Sequence, residues 1–174
     1  MDYFLLKQDE RYNNVPMVLD VMNKIDKRNI NLLKADKIQD TIIFYVKADE
    51  ETSYLDILHR QLYLVSEKLK KLLEKYDSNI IFKAMPLIDL EHENQENYFL
   101  PIFEEVEALS DKCEFNLDKS VIKKLILDGK KIQGKKIFKI SHDKQTLVVV
   151  RLDIAESILR RDFTGIKLEK LSIE

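Results

Sequence analysis

Residues 62–85 read LYLVSEKLKKLLEKYDSNIIFKAM, and residues 148–171, 86 positions further on, read VVVRLDIAESILRRDFTGIKLEKL. Each begins with an apolar run, passes through a short amphipathic segment and a turn, and ends in an alternating stretch. At this offset Leu69 aligns with Ala155, Leu72 with Ile158, Leu73 with Leu159, Ile80 with Ile166, Phe82 with Leu168 and Met85 with Leu171. In the first copy Leu69, Leu72, Leu73 and Tyr76 fall at helical spacing, with Ser66 as N-cap, Glu67 in the first turn and Lys75 in the last. In the second, Asp153 is the expected N-cap and Glu156, three residues on, makes an acidic variant of the capping box. Ile154, Ala155, Ile158 and Leu159 form its apolar side, and Gly165 is the expected stop. A one-sided helix needs a sheet beneath it, so each copy predicts a strand–helix–strand unit. Arg151-Leu152 stands where the first copy has Val65-Ser66, a departure from strict duplication.

Outward from these units, residues 3–7 and 41–47 read as short strands, the latter apolar enough on both faces to sit centrally in a sheet. Asn13, Asn14 and Pro16 mark a loop, and residues 17–25 fit a helix or an extended segment. Residues 80–90 and 97–103 read as strands. Val121, Ile122, Leu125 and Ile126 fit a helix capped by Asp118 or Ser120 and ended by Gly129, with a strand pair as the alternative. Residues 137–140 and 147–151 read as a hairpin around His142-Asp143-Lys144. Strands mixed with isolated helices predict an α+β fold: a mixed or antiparallel sheet with a few amphipathic helices, built around the two similar units. The 174 residues, 45% of them apolar, supply one compact body or two lobes, 1–95 and 96–174.

Only three Gly and three Pro occur, and no window reaches the roughly 18 apolar residues of a membrane helix, so neither a flexible linker nor a membrane is expected. Cys113 is the only cysteine and the first residues lack the pattern of a signal peptide, which together point to a reducing cytoplasm. Net charge is −2, unevenly spread. Residues 89–111 hold eight acids (Asp89, Glu91, Glu93, Glu96, Glu104, Glu105, Glu107 and Asp111) and no Lys or Arg, whereas residues 112–139 hold nine Lys against three acids. Such blocks are either two solvated faces that neutralise each other or a recognition surface. A nucleic-acid face needs uncompensated positive charge, and the overall balance is slightly negative, so no nucleic-acid partner is expected.

Four stretches invite a chemical reading, and each fails on physical grounds. Gly129 to Lys135 has phosphate-loop spacing, but Lys136 removes the hydroxyl that magnesium needs and leads into an expected strand rather than a helix. His92-Glu93-Asn94-Gln95-Glu96 opens like a zinc-protease helix but offers Glu96 in place of the second histidine, so no metal ligand set is expected there. Ser141, His142 and Asp143 are adjacent, and adjacent side chains cannot make the sequential hydrogen bonds of a hydrolase triad. Cys113 and His59 would form a thiol–imidazole pair only if the fold joined them. The expectation is no catalytic residue, no metal and no cofactor.

The segments Tyr54-Leu-Asp-Ile-Leu, Tyr63-Leu-Val-Ser-Glu-Lys-Leu-Lys-Lys-Leu-Leu-Glu and Ile80-Ile-Phe-Lys-Ala-Met-Pro-Leu resemble the type-eleven immunity proteins of bacterial polymorphic toxin systems. Gly134-Lys-Lys-Ile-Phe-Lys-Ile, Leu147-Val-Val-Val, the helical stretch 154–159 and Phe163-Thr-Gly-Ile-Lys-Leu-Glu match as well, so the likeness runs from about residue 54 to the end. It implies a non-enzymatic protein that binds and neutralises a cognate toxin made by the same cell and encoded by a neighbouring gene. Such families carry no catalytic residues to transfer. The acidic segment 89–111 is the expected contact surface, since an acidic face is steered toward a basic cleft. Two other classes stay open: an interaction or regulatory module that pairs through the edge of residues 165–173, and a small enzyme acting through Cys113. The oligomeric state is open too.

Overall fold

The computed structural model describes residues 1–142 and 144–174; the Asp143 of the hairpin and triad readings above lies outside them. In chain order the elements are β1 (Tyr3–Gln8), β2 (Met17–Val18), α1 (Val21–Lys24), β3 (Phe44–Lys47), β4 (Ile57–His59), β5 (Tyr63–Ser66), α2 (Glu67–Tyr76), β6 (Ile81–Asp89) and β7 (Asn94–Ile102). They continue with β8 (Glu105–Val106), β9 (Glu114–Phe115), β10 (Ile122–Lys124), β11 (Ile126–Leu127), β12 (Ile137–Ile140), β13 (Val148–Arg151), α3 (Leu152–Leu159), β14 (Ile166–Lys170) and β15 (Ser172–Ile173). Mixed sheets with few helices make this an α+β fold dominated by strands.

The chain divides into two units. The first comprises Met1–Lys7, Glu104–Asp162 and Lys167–Glu174; the second comprises Gln8–Phe103 and Phe163–Ile166. The second unit carries a six-stranded sheet in the order β2-β3-β6-β7-β5-β4. Its spine is the β6–β7 hairpin, paired without a break from Ile81↔Ile102 to Asp89↔Asn94. β5 runs straight into α2, where the Ser66 hydroxyl accepts from the Leu69 amide at 3.2 Å, the N-cap expected from the sequence. Leu69, Leu72 and Leu73 are buried by α2 against β5 and β7, each side chain worth roughly 1.5–3 kcal/mol on transfer from water. The loop-rich segment 15–42 supplies Val15, Val21, Ile25, Ala35 and Ile38 to a core with Phe44, Leu64, Met85, Leu87, Leu100 and Ile102. β3 is one strand in from the edge, but it alternates: Phe44 and Val46 are buried while Tyr45 and Lys47 are exposed, so only one of its faces meets the core.

The first unit carries a five-stranded sheet in the order β14-β1-β13-β12-β8. β1 and β13 are antiparallel, as are β12 and β13, so the strands expected at residues 137–140 and 147–151 do pair. Its core joins Tyr3, Leu5, Val106, Phe138, Ile140, Val149 and Leu171. In each unit the two strands joined by a helix flank a third, β5 and β6 around β7, and β13 and β14 around β1.

Four local expectations are corrected. Residues 121–126 are not helical: β9 and β10 pair as the strand alternative had it, and β11 pairs in parallel with β15. α3 begins two residues earlier than expected, with Arg151 at its N-cap and Asp153 inside the first turn, where it accepts Arg151 Nε at 2.9 Å. α3 ends at Leu159, so Gly165 does not stop it. Gly165 instead holds φ +74° where a Cβ would meet Leu55 Cδ1 at 2.6 Å. Leu159, expected on the buried side, is 74% exposed.

Candidate functional site

The eight acids fall four in each unit. Asp89, Glu91, Glu93 and Glu96 belong to the second, at the closed end of the β6–β7 hairpin. Strand alternation puts Asp89 on the same side of β6 as Lys83, Met85 and Leu87, all buried. Its carboxylate accepts from the Glu91 amide at 3.1 Å, the His92 amide at 3.3 Å and His92 Nδ1 at 2.7 Å, closing the four-residue turn 90–93 from inside. Burial pushes the Asp89 carboxyl upward, but the bonds from the His92 ring and the two amides outweigh it and leave the pKa lowered. The reciprocal bond to Asp89 raises His92. Asp89 is therefore a turn former. What the turn presents outward is Leu90, 71% exposed, flanked by exposed Glu91 and by Glu93, which holds φ +50°. Glu96 lies half-buried on β7 opposite Leu87.

Glu104, Glu105, Glu107 and Asp111 belong to the first unit. Glu104 meets Lys135 Nζ at 2.5 Å, and Glu105, across the parallel β8–β12 pair from Lys139, meets its Nζ at 2.9 Å. Lys112 reaches Glu174 at 2.5 Å, and Lys131 and Lys124 approach Asp128 and Glu114 at 3.8 and 3.9 Å. Most of the basic block is thus spent on nearby acids, the arrangement of two solvated stretches that neutralise each other; exposed pairs of this kind contribute ~0–1 kcal/mol each. Glu107 and Asp111 are exposed and have no ion pair among the described residues.

Cys113 and His59 have separate partners. The Cys113 thiol donates to the Ile126 carbonyl at 3.1 Å and accepts the Ile126 amide at 3.3 Å, while the His59 ring stands edge-on to Tyr63 with centroids 5.1 Å apart. Among the described residues no three His, Cys, Asp or Glu side chains are grouped to hold a metal ion. Among the described residues no helix is long and apolar enough to cross a membrane. Residues 129–134 form a turn ahead of β12, so the expected strand after Lys136 is present.

One surface feature was not anticipated. Leu19, Met22, Ile43 and Tyr45 are 40–92% exposed, and the Lys24 ammonium donates to the Ile43 carbonyl at 2.7 Å and sits 5.3 Å from the Tyr45 ring centroid. The Leu19 amide donates to the Tyr45 carbonyl at 2.9 Å. Residues 17–25 have no single period, so nothing in their sequence marked Leu19 and Lys24 as neighbours of Tyr45.

The fold is a strand-dominated α+β fold, and the polar groups described above serve turns, caps and surface pairs. A family model described as immunity protein family (Imm11) matches residues 2–172, and the chain belongs to that family. The match takes in residues 2–53 as well as the resembling stretch from about residue 54 onward. No curated protein matches the chain.

Proposed function

We propose that this chain is a non-enzymatic immunity protein that binds and neutralises a cognate toxin domain by occlusion, in the cytoplasm of the cell that makes the toxin. The observation that carries the reading is the family match over residues 2–172. The acidic segment 89–111 is proposed as the contact surface, and the geometry ranks its members. Asp89 is committed to the turn, and Glu104 and Glu105 to lysines of their own unit. Glu91, Glu93, Glu107 and Asp111 stay exposed, and of these Glu91 and Glu93 adjoin Leu90, which we take as an apolar anchor with an acidic rim, held by a turn that Asp89 and His92 brace. Partly apolar centres with charged rims are the usual anatomy of a protein interface, and the acids would steer a basic cleft onto the turn. A toxin without a basic cleft would remove the electrostatic argument while leaving the immunity reading intact.

The test is to co-express the chain with the C-terminal domain of the protein encoded immediately beside it and to score host growth. Rescue, with a complex that survives gel filtration, supports immunity. A neighbour that is harmless, or that kills equally with and without this chain, overturns it and leaves an interaction module of another purpose.

A further inference from the structure

The edges of the sheets are unequal. In the second unit the six-stranded sheet ends in β2, of two residues, and β4, of three; in the first unit the five-stranded sheet ends on one side in β8, of two. The strands of the two small pairs β9–β10 and β11–β15 have two or three residues each. Short strands are one way a protein keeps its edges from pairing with other chains. β14, at the remaining edge, has five residues and so is not blunted in this way.

Its free groups can be assigned. The Leu171 amide donates to the Tyr3 carbonyl and the Asp9 amide to the Gly165 carbonyl, at 2.9 and 2.8 Å. Six residues separate the two contacts on both strands, in opposite senses, so the β1–β14 ladder is antiparallel and its odd-numbered positions from 165 to 171 face β1. The N–H and C=O groups of Ile166, Leu168 and Lys170 therefore point away from the sheet, and no strand lies beyond them among the described residues. The exposed side chains at 167 and 169 carry opposite charge. Lys167 has no ion pair among the described residues, and Glu169 meets Lys7 at 3.0 Å with half of its side chain still exposed.

We infer that β14 is the pairing edge of a two-fold dimer of this chain, the two copies of β14 lying antiparallel about Leu168. That register satisfies the outward groups reciprocally: Leu168 bonds to its own counterpart, and Ile166 to Lys170 of the partner subunit. It sets Lys167 opposite Glu169 of the partner subunit twice, at the non-hydrogen-bonded positions where cross-strand side chains come closest. The neighbouring registers are self-defeating. Centring on residue 167 opposes Lys to Lys, and centring on 169 opposes Glu to Glu, so the charge pattern selects one pairing and a second copy as the complementary occupant.

The experiment is sedimentation equilibrium of the full chain from micromolar to near-millimolar concentration, with Glu169→Lys, Lys167→Glu and the double exchange. The wild type is expected to dimerise. Either single reversal, at an exposed position, is expected to weaken dimerisation by roughly tenfold or more, because two attractive contacts become repulsive. The double exchange is expected to restore it. A wild type that stays monomeric throughout, a dimer indifferent to both reversals, or a double exchange that fails to recover would overturn the assignment.

Discussion

Gly165 is the residue at which backbone conformation and close packing coincide. Its φ of +74° is costly for any residue with a Cβ, and a built Cβ would also lie 2.6–2.8 Å from three side-chain atoms of Leu55. Leu55 is 1% exposed and its own Cβ is among the three, so a change of rotamer cannot relieve the contact. Gly165→Ala should lose roughly 2–4 kcal/mol, read as a lower urea midpoint, with Gly134→Ala as the control. Gly134 also has positive φ but open space around it, so it should lose only the conformational part. Asp89 gives a second residue-level prediction, in pH. Its folded pKa is lowered, so its contribution is present above the ordinary carboxyl value near 3.9 and is lost as pH falls through the folded value. His92 is raised, so its contribution is present below about 6.5 and is lost as pH rises through the folded value. The pair therefore contributes most between about pH 4 and 6.5. Asp89→Asn keeps an acceptor for the two amides but removes the charge. It should bring the NMR-titrated pKa of His92 back toward 6.5, and its stability deficit should shrink above neutrality. A His92 titration unmoved by the substitution would mean that the 2.7 Å contact carries no charge coupling.

At the scale of elements, the two helices show how differently a similar sequence pattern can be terminated. α2 is capped by Ser66, whose hydroxyl also donates to Asp56 Oδ1 at 2.5 Å, so Ser66→Ala removes two bonds and should cost about 1–2 kcal/mol. α3 begins at Arg151, whose side chain makes no cap bond, so an exchange at its N-cap should act only through the surface pair with Asp153, for about 0–1 kcal/mol. Thermal melts of the two variants would separate these cases, and equal losses would deny α2 its cap. The contrast also marks how far the sequence was readable. α2 was legible because its period, cap residue and end charges agree; the strands at 80–90 and 97–103 were legible as strands, while their pairing and the start of β7 at Asn94 were not. Residues 121–126 misled because short strands and a single helical turn can both place Val121, Ile122, Leu125 and Ile126 in an apolar pattern; what decides between them is pairing, of β10 with the nearby β9 and of β11 with β15, which is distant in sequence. The acids of the candidate surface were legible as a charge block. Their separate employments were not, because burial at Asp89 and the lysine partners of Glu104 and Glu105 follow from strand register.

At the scale of the whole molecule the proposed toxin contact depends on net field and on a few exposed groups. Residues 89–111 look uniform along the chain, yet reversing different acids should have different effects. Glu104→Lys or Glu105→Lys would place a lysine against Lys135 or Lys139 and strain the first unit, so impaired binding there would be ambiguous. Glu91 and Glu93 stand exposed at the hairpin turn, with no ion pair to another residue among the described ones, so Glu91→Lys with Glu93→Lys changes the field and leaves the Asp89–His92 brace in place. If this turn meets a basic cleft, the double reversal should slow association with the cognate toxin domain by about tenfold or more at low ionic strength. The deficit should narrow as salt shortens the screening length toward a few ångströms. Dissociation should change much less, because rim charges act mainly on encounter. Leu90→Ala should do the reverse, leaving the on-rate near wild type and hastening dissociation, as loss of a buried apolar anchor does. Stopped-flow association and surface-based dissociation on the two variants would separate steering from anchoring. An on-rate indifferent to the reversal at low salt would eliminate the hairpin turn as the steering surface and direct attention to the exposed Tyr45 and Met22 of the same unit.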